Sequence, residues 1–337
     1  MNEKIHRNSL KPEHRLHWYV IERVLGQGGF GITYLAFDFN LDQHVAIKEY
    51  LPMELAVREG DNSVYPASAS HGERYRWGLE RFITEARTLA KFKHPAIVRV
   101  LSVFEENRTA YMVMEYERGE SLQDILTSRK TLEEQELMKI LFPLLGGLEL
   151  IHSQGFIHRD IKPANIFIRE DQSPVLLDFG SARQALGLQT RTLTSIVSPG
   201  YAPFEQYYSK SDKQGPWTDI YGLGATLYRA VSGRPPMDAI DRSEAILKAQ
   251  RDMFVPATEI GRGRYSQRFL KAIDHALLFS EKQRPQSVAE WRDEFGIPPE
   301  EEVSPPAAPT GESDRTNFAM SLPLESEDDE QDRKSVV

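Results

Sequence analysis

Between a helix-like segment that ends at Gly155 and a later apolar run, the chain reads His158-Arg159-Asp160-Ile161-Lys162-Pro163-Ala164-Asn165. The last six residues of this stretch contain a carboxylate, an ammonium group and a carboxamide. Phosphoryl transfer needs a base for a hydroxyl proton, a cation for the moving phosphoryl group and an oxygen ligand for Mg²⁺. The stretch supplies one of each, so we expect a loop that is held between ordered elements and carries this chemistry.

A second short motif, Asp178-Phe179-Gly180, begins thirteen residues after Asn165 and directly follows the strand-like segment 175–177. Alone it would read as an ordinary turn, and His-Arg-Asp alone also occurs by chance. The two motifs in this order and at this spacing make chance a poor explanation. On these residues the chain resembles a eukaryotic-type protein serine/threonine kinase, most closely those of bacteria.

The resemblance implies a role for each polar group of the two motifs. Asp160 would orient and deprotonate the substrate hydroxyl, and Lys162 would steady the γ-phosphate of ATP. Asn165 and Asp178 would hold Mg²⁺, with Mn²⁺ as an alternative ion. Lys162 also indicates serine or threonine acceptors, because tyrosine kinases of this family usually have a different segment there.

The glycine-rich segment 26–31 stands between the strand-like runs 18–24 and 32–36. A dinucleotide-binding fold would continue from such glycines into a helix. Here a second strand follows, which predicts a hairpin whose backbone N–H groups cover phosphates and whose glycines allow close approach. By the resemblance, the nucleotide would contact Gly26, Gln27, Gly28, Gly29, Phe30, Gly31 and also Thr33, where the family usually has valine.

Lys48 closes the strand-like run 45–48 and lies 17 residues after Gly31. The plain alternative is a surface lysine at the end of a strand. The spacing instead fits the family's lysine that binds the α- and β-phosphates. Glu85 lies on the apolar stripe of a predicted helix, where a carboxylate needs a partner. We predict a Lys48–Glu85 pair, with Glu80 as the fallback.

The apolar run 112–116 resembles the family's hinge between two lobes. Met114 would lie behind the adenine, although methionine on a strand is more often plain core. Backbone groups of Glu115 and Tyr116 would bond the adenine edge, and Ala46 would complete the adenine pocket.

The segment 181–205 would be the family's activation segment. Arg159 and Arg183 could converge on a phosphate there and order the segment through charge-assisted hydrogen bonds. Thr194 is the favoured acceptor because it lies four residues before Ser198, which resembles the family's substrate-facing threonine. The other candidate acceptors are Thr190, Thr192 and Ser195.

Two structural roles follow from the second half of the chain. Glu205 is predicted to form a buried pair with Arg284 that supports the end of the activation segment. Asp219 begins an apolar helix, so it is predicted to cap that helix and to accept bonds from the backbone of the loop around Asp160.

These motifs predict an α+β protein with a kinase-like two-lobed fold. The small β-rich N-lobe would span about 18–116 and the larger helical C-lobe about 117–296. Residues 1–17 would be a flexible leader, and 297–337 an acidic, proline-rich disordered tail. The segment 53–76 is longer than the family's usual link and looks like an insertion, for which its sequence suggests no role.

Composition excludes several classes of protein. The 337 residues include no cysteine, so there is no disulfide framework and no thiolate metal site. Residues 297–337 carry 11 of the 50 acidic and 3 of the 41 basic side chains, leaving a net charge of −1 on the rest. Nucleic acid is therefore not an expected partner. No apolar run reaches the length of a membrane span, and a cytoplasmic location is expected. The ending 333–337 leaves open a membrane tether beyond the last residue, with this chain as its cytoplasmic part.

Together these features predict an ATP-dependent protein serine/threonine kinase that acts on protein substrates. Autophosphorylation of the activation segment is expected, with self-association as one route to it in trans. The first alternative is a pseudokinase that binds nucleotide without turnover, but the lysine, aspartates and glycines that it would lack are all present. The second alternative is a small-molecule kinase, which would not need the 28 residues from Asp178 to Glu205.

Overall fold

A six-stranded antiparallel sheet organises the first third of the chain in the computed structural model, which describes residues 8–179, 197–207 and 213–296. Its strands lie in the spatial order β1-β2-β3-β4-β8-β7, and the intervening β5 and β6 form a separate hairpin. The eight strands are β1 (Arg15–Leu16), β2 (Tyr19–Gly28), β3 (Gly31–Asp38), β4 (Gln43–Tyr50), β5 (Ala56–Arg58), β6 (Val64–Pro66), β7 (Val100–Glu106) and β8 (Thr109–Glu115). Gly28 lies opposite Gly31 in the β2–β3 ladder, so the predicted glycine hairpin is confirmed.

Residues 8–17 are part of this sheet structure rather than a flexible leader, so that prediction is wrong for them. β1 pairs with β2, and the side chains of Leu10 and Leu16 are buried. The N–H of Leu10 also donates to the Tyr34 hydroxyl at 3.0 Å. Two buried leucines and a paired strand hold the segment, and its polar composition concealed them. Residues 1–7 lie outside the described part.

The unexplained segment after β4 is structured as well. It contains the β5–β6 hairpin and a short 3₁₀ turn, Ala69–His71. Helix α1 (Gly72–Leu89) then begins, so the last five residues of the expected insertion are helical. α1 packs against β7 and β8 and carries Glu85 on its buried face.

Between residue 116 and residue 296 the described part of the chain is mainly helical, with one small antiparallel sheet in the order β11-β10-β9. Its strands are β9 (Gly119–Ser121), β10 (Ile166–Arg169) and β11 (Pro174–Leu176). The helices are α2 (Leu122–Arg129), α3 (Glu134–Ser153), α4 (Pro216–Ser232), α5 (Ala239–Ala249), α6 (Ala257–Ile260), α7 (Gln267–Ala276) and α8 (Val288–Phe295). Within the ranges that the structure describes, we find no helix both long and apolar enough for a membrane span.

α4 is the central helix of this part, since every residue from Thr218 to Tyr228 is buried. The prediction that Asp219 caps it is wrong. The helix begins at Pro216, and the Thr218 hydroxyl accepts the N–H of Gly215 at 3.2 Å. Thr218 therefore makes the side-chain hydrogen bond at the first turn of α4, and the Asp219 carboxylate accepts bonds from other donors.

Candidate active site

Asp219 holds the loop that follows α3. Its carboxylate accepts the backbone N–H groups of His158 at 2.8 Å and Arg159 at 2.7 Å, as predicted, and a bond from His152 Nε2 at 2.7 Å. Burial acts to raise the pKa of Asp219, but these hydrogen bonds and the nearby histidines hold it below its usual value. The bonds also fix Arg159 in a left-handed backbone conformation, with φ of 69°.

His158 joins this loop to the strand before Asp178. Its Nε2 donates to the carbonyl of Leu177 at 2.9 Å, and its Nδ1 accepts the N–H of Asp160 at 3.2 Å. Full burial lowers the pKa of His158, so the ring is neutral near pH 7. A neutral ring can make both bonds at once, which places Asp160 at a fixed distance from the next motif.

Asp160 is the centre of a cluster of polar side chains. Lys162 Nζ lies 3.0 and 2.9 Å from its two carboxylate oxygens, and Asn165 Nδ2 donates to Oδ2 at 2.8 Å. The Ser198 hydroxyl donates to Asp160 Oδ1 at 2.9 Å and accepts from Lys162 Nζ at 2.9 Å. The structure thus brings the three predicted loop residues together with Ser198. Asp160 accepts the hydrogen bond of the Ser198 hydroxyl, which is the contact predicted for the hydroxyl of a substrate.

Lys48 lies next to the second motif. Its Nζ donates to Asp178 Oδ1 at 2.8 Å across 130 residues of sequence, and Asn165 Nδ2 lies 3.5 Å from the Asp178 carbonyl oxygen. The structure therefore joins Lys48 to Asp178, and the pair of Lys48 with Glu85 stays a prediction. Glu85 is only 4% exposed on α1, and its charge acts on the guanidinium of Arg159.

The predicted adenine-side residues share one face of the sheet. Thr33 lies opposite Lys48, and Ala46 lies opposite Met114. Directly opposed residues point to the same face, as do residues two apart on one strand such as Ala46 and Lys48. Met114 and Ala46 are nearly buried, at 7% and 9% exposure, so they form the apolar floor of that face.

The hinge prediction needs one correction. The N–H of Glu115 donates to the Arg99 carbonyl at 3.0 Å, so that group faces the neighbouring strand and cannot bond adenine. That the carbonyl of Glu115 and the backbone of Tyr116 bond adenine stays a prediction. The following carboxylate, Glu117, forms bonds of 2.5 and 2.6 Å with Arg169, which ties the hinge to β10. Sequence reasoning missed this pair.

The glycine-rich loop shows two kinds of glycine. A Cβ at Gly31 would overlap the backbone oxygen of Glu49, so this position has no room for a side chain. A Cβ at Gly26, Gly28 or Gly29 would meet no atom within 4 Å. Gly31 is needed for packing, whereas Gly26, Gly28 and Gly29 border open space.

The buried pair of Glu205 and Arg284 is confirmed, with bonds of 2.7 and 3.2 Å and side chains 4% and 0% exposed. Sequence reasoning missed a second support of the same segment, Asp238. Its carboxylate accepts the N–H of Gly200 at 3.2 Å and the hydroxyl of Tyr207 at 2.6 Å, and it caps α5. An aspartate just before a helix is a signal that could have identified it.

Several predicted residues lie outside the described part of the chain. They are Arg183, Thr190, Thr192, Thr194 and Ser195, together with the predicted tail 297–337.

Residues 19–290 match the family described as protein kinase domain. The chain belongs to the protein kinase family. The predicted resemblance and the α+β two-lobed fold class are thereby confirmed.

Three proteins similar to this kinase domain are bacterial serine/threonine-protein kinases. It is 31% identical to PknK of Mycobacterium tuberculosis (strain CDC 1551 / Oshkosh) over 273 residues, 80% of this chain and 23% of PknK. It is 35% identical to pkn2 of Myxococcus xanthus over 224 residues, 64% of this chain and 24% of pkn2. Against PknB of Mycobacterium leprae the identity is 30% over 86% of this chain and 45% of PknB. The chain thus spans less than half the length of these three relatives.

A solved structure described as "PpkA-294 apo form" has the same fold. The kinase domain superposes on it with a TM-score of 0.78 at 40% sequence identity, covering 86% of this chain and 99% of that one.

Proposed function

We propose that the kinase domain transfers the γ-phosphoryl group of ATP to serine and threonine hydroxyls of protein substrates. One observation carries this proposal: the Ser198 hydroxyl donates to Asp160 Oδ1 while Lys162 Nζ contacts both. A hydroxyl donor, a carboxylate acceptor and a cation meet at one point, as attack on a phosphoryl group requires.

In the proposed reaction a substrate hydroxyl oxygen forms a bond to the γ-phosphorus, and the bond to the bridging β–γ oxygen breaks. The hydroxyl proton passes to Asp160, and ADP leaves. Lys162 stabilises the negative charge of the transferring group, and Lys48 binds the α- and β-phosphates. The neutral, buried His158 keeps Asp160 in position throughout.

We further propose Mg²⁺ as the metal, with Mn²⁺ as an alternative. The donor set fits a hard cation, because Asp178 and Asn165 both supply oxygen. Asn165 turns its amide nitrogen toward Asp160, which leaves the amide oxygen as a ligand. The described residues contain no group of three or more His, Cys, Asp or Glu side chains that could hold a metal, so phosphates and water would complete the shell. When bound, the ion neutralises phosphate charge.

Phosphate incorporation from labelled ATP into a serine- and threonine-containing protein tests the reaction. Asp160→Asn should lower the rate about 10²–10⁴-fold, because it removes the general base. Asp42→Asn is a matched control on an exposed turn and should keep the wild-type rate. Tight ATP binding by the wild type without any transfer would contradict the proposal and favour the pseudokinase.

We also propose autophosphorylation within 181–205, by self-association in trans. Its support is the pair of arginines predicted to receive the phosphate, of which Arg159 is held at the active site by Asp219. Wild-type chain should phosphorylate the inactive Asp160→Asn chain at Thr190, Thr192 or Thr194, as mapped by mass spectrometry. Phosphate confined to the tail 297–337 would contradict this part and leave the kinase reaction intact.

A cytoplasmic site of action is proposed because ATP is the phosphoryl donor, either as a separate protein or as the cytoplasmic part of an anchored one. Fractionation of the producing cells tests it, and recovery outside the cytoplasmic and membrane fractions would contradict it.

A further inference from the structure

Lys48 and Glu49 are neighbours on β4 but point to opposite faces of the sheet. Lys48 faces the proposed nucleotide site, whereas Glu49 is fully buried beneath the β5–β6 hairpin and the N-terminal segment. On this outer face the Glu49 carboxylate accepts bonds from the hydroxyls of Tyr34 at 2.8 Å and Tyr111 at 2.7 Å. A buried carboxylate with two phenol donors still needs a cation to balance its charge.

Arg58, on β5 of the hairpin, supplies that cation. Its guanidinium donates to the Glu49 carboxylate, to the carbonyl of Asn8 at 2.8 Å and to the carbonyl of Asn62 at 2.5 Å, and its side chain is 5% exposed. Burial acts to lower the pKa of Arg58, but the adjacent carboxylate outweighs burial and raises it, so the pair is ionic. One side chain therefore ties the hairpin, the N-terminal segment and β4 together.

The stretch that joins β4 to this hairpin also contacts the glycine-rich loop. The N–H of Leu51 donates to the Phe30 carbonyl at 3.1 Å, and the N–H of Met53 donates to the Gly29 carbonyl at 3.0 Å. These two carbonyls belong to the tip of the loop that is predicted to cover the phosphates. The tip is therefore bonded to residues 51–53, which lie directly before the hairpin that Arg58 anchors.

We propose that residues 51–66 form a brace that holds the glycine-rich loop over the ATP site. Arg58 is a positioning residue that anchors the hairpin to Glu49. The N–H of Met53 connects the anchored segment to the loop through its bond to Gly29. The inference rests on the proposed function, since it assigns ATP to this loop. It gives the otherwise unexplained insertion a role on the face of the sheet opposite to the nucleotide. Loss of the brace should weaken ATP binding and leave the binding of the protein substrate unchanged.

Met53→Pro tests the brace without touching the buried pair. Met53 is exposed and occupies the second position of a turn in which the Leu55 N–H donates to the Pro52 carbonyl, a position that favours proline. The substitution removes the N–H that bonds Gly29 and also the Met53 Sδ that accepts from Gln27 Nε2 at 3.2 Å, so Met53→Ala, which removes only the second contact, is measured beside it. We expect the Kd for ATP, measured by calorimetry, and the KM for ATP to rise about fivefold, as for one lost hydrogen bond. Glu54→Ala, in the same exposed turn, is the control and should keep both values.

Arg58→Met tests the anchor and is paired with the double variant Glu49→Gln/Arg58→Met. The single variant leaves a buried carboxylate unbalanced, so its denaturation midpoint should fall and its Kd for ATP should rise about fivefold. The double variant removes the buried charge, so its midpoint should return toward the wild-type value while the Kd for ATP stays raised. That separation distinguishes positioning from simple stability.

Each outcome decides the inference. A Kd for ATP within about twofold of the wild-type value in either Met53→Pro or Arg58→Met would overturn the brace, as would recovery of ATP affinity together with stability in the double variant. Wild-type chain that binds ATP but transfers no phosphate would contradict the proposed function instead, because the Kd comparison does not depend on turnover.

Discussion

Two buried glutamate–arginine pairs support the two halves of this kinase domain, and they differ in how they hold their carboxylates. Glu205 and Arg284 are 79 residues apart and join the end of the activation segment to the helical part. Glu49 and Arg58 are 9 residues apart and join the hairpin to the sheet. All four side chains are at most 5% exposed.

The donors around each carboxylate are the main difference. Glu205 receives two bonds from Arg284 and one long bond of 3.2 Å from the Thr218 hydroxyl. Glu49 receives short bonds from two tyrosine hydroxyls in addition to its arginine. Equal burial therefore does not mean equal dependence on the arginine. The lesson is that the cost of breaking a buried pair depends on the donors that stay behind.

The largest effect is expected at the C-terminal pair. Arg284→Met should lower the free energy of unfolding by about 3–5 kcal/mol, because it leaves Glu205 buried with one weak donor. Arg58→Met should have a smaller effect, about 2–3 kcal/mol, because two hydroxyls still bond Glu49. Urea denaturation of both variants measures the difference, with Arg262→Met as an exposed control. An equal or larger loss in Arg58→Met would break the comparison.

Tyr34 and Tyr111 test whether the hydroxyl donors contribute to the stability of the Glu49 carboxylate. Tyr34→Phe and Tyr111→Phe each remove a short bond to the charged Glu49 carboxylate. Each also removes the acceptor of a second bond, from the Leu10 N–H and from Asn107 Nδ2 respectively, so each should lower the free energy of unfolding by about 1.5–3 kcal/mol. Burial and the nearby Glu49 raise the pKa of both hydroxyls, so they stay protonated as donors and the loss should not change between pH 7 and 9. Variants as stable as the wild type in urea would show that Arg58 alone satisfies Glu49.

Protonation of His158 should make the free energy of unfolding depend on pH. Its pKa is lowered by burial, so the unfolded chain binds a proton that the folded chain resists. Stability should therefore decline as pH falls below the usual histidine value of 6.5, by at most about 1.4 kcal/mol per pH unit for one proton. His158→Phe should show a shallower decline between pH 7.5 and 5.5, and Tyr34→Phe should keep the wild-type slope. The same slope in all three proteins would exclude His158 as the titrating group.

The smallest effect is expected for an exposed pair with similar geometry. Arg129 donates to both oxygens of Glu136 at 2.7 and 2.8 Å, but the side chains are 50% and 41% exposed. Arg129→Met should lower the free energy of unfolding by about 0.2–1 kcal/mol, and less at 1 M salt, because solvent screens the charges. A loss as large as that of Arg58→Met would mean that pairing geometry outweighs burial.

Much of the fold could be read from local sequence. The strands on either side of the glycine-rich loop, the helix that carries Glu85 and the long helix before His158 all follow from the spacing of apolar residues. The pair of Glu205 and Arg284 was predicted because Glu205 ends the segment that resembles the family's activation segment. The spacing of apolar residues depends only on residues near one another in the sequence, so it can be recognised without knowledge of the fold.

The burial of Arg58 and the order of residues 8–17 were not predicted for a common reason. Nothing near Arg58 in the sequence marks it as buried, because its partners come from the N-terminal segment, β4 and the hairpin itself. The leader 8–17 read as polar because only two of its residues, Leu10 and Leu16, carry its burial on the sheet. The average composition of a segment does not reveal one or two residues that are buried against distant parts of the chain.

By itself the sequence determined the family, the order of the elements and the residues that gather around Asp160, since all of these depend on motifs a few residues long. Only the tertiary structure showed two of the charge pairings: Asp178 with Lys48, and the buried Glu49 with Arg58. A buried charge is stabilised by whichever opposite charge or donor lies within about 3 Å in the folded chain, and that distance is set by packing between distant segments.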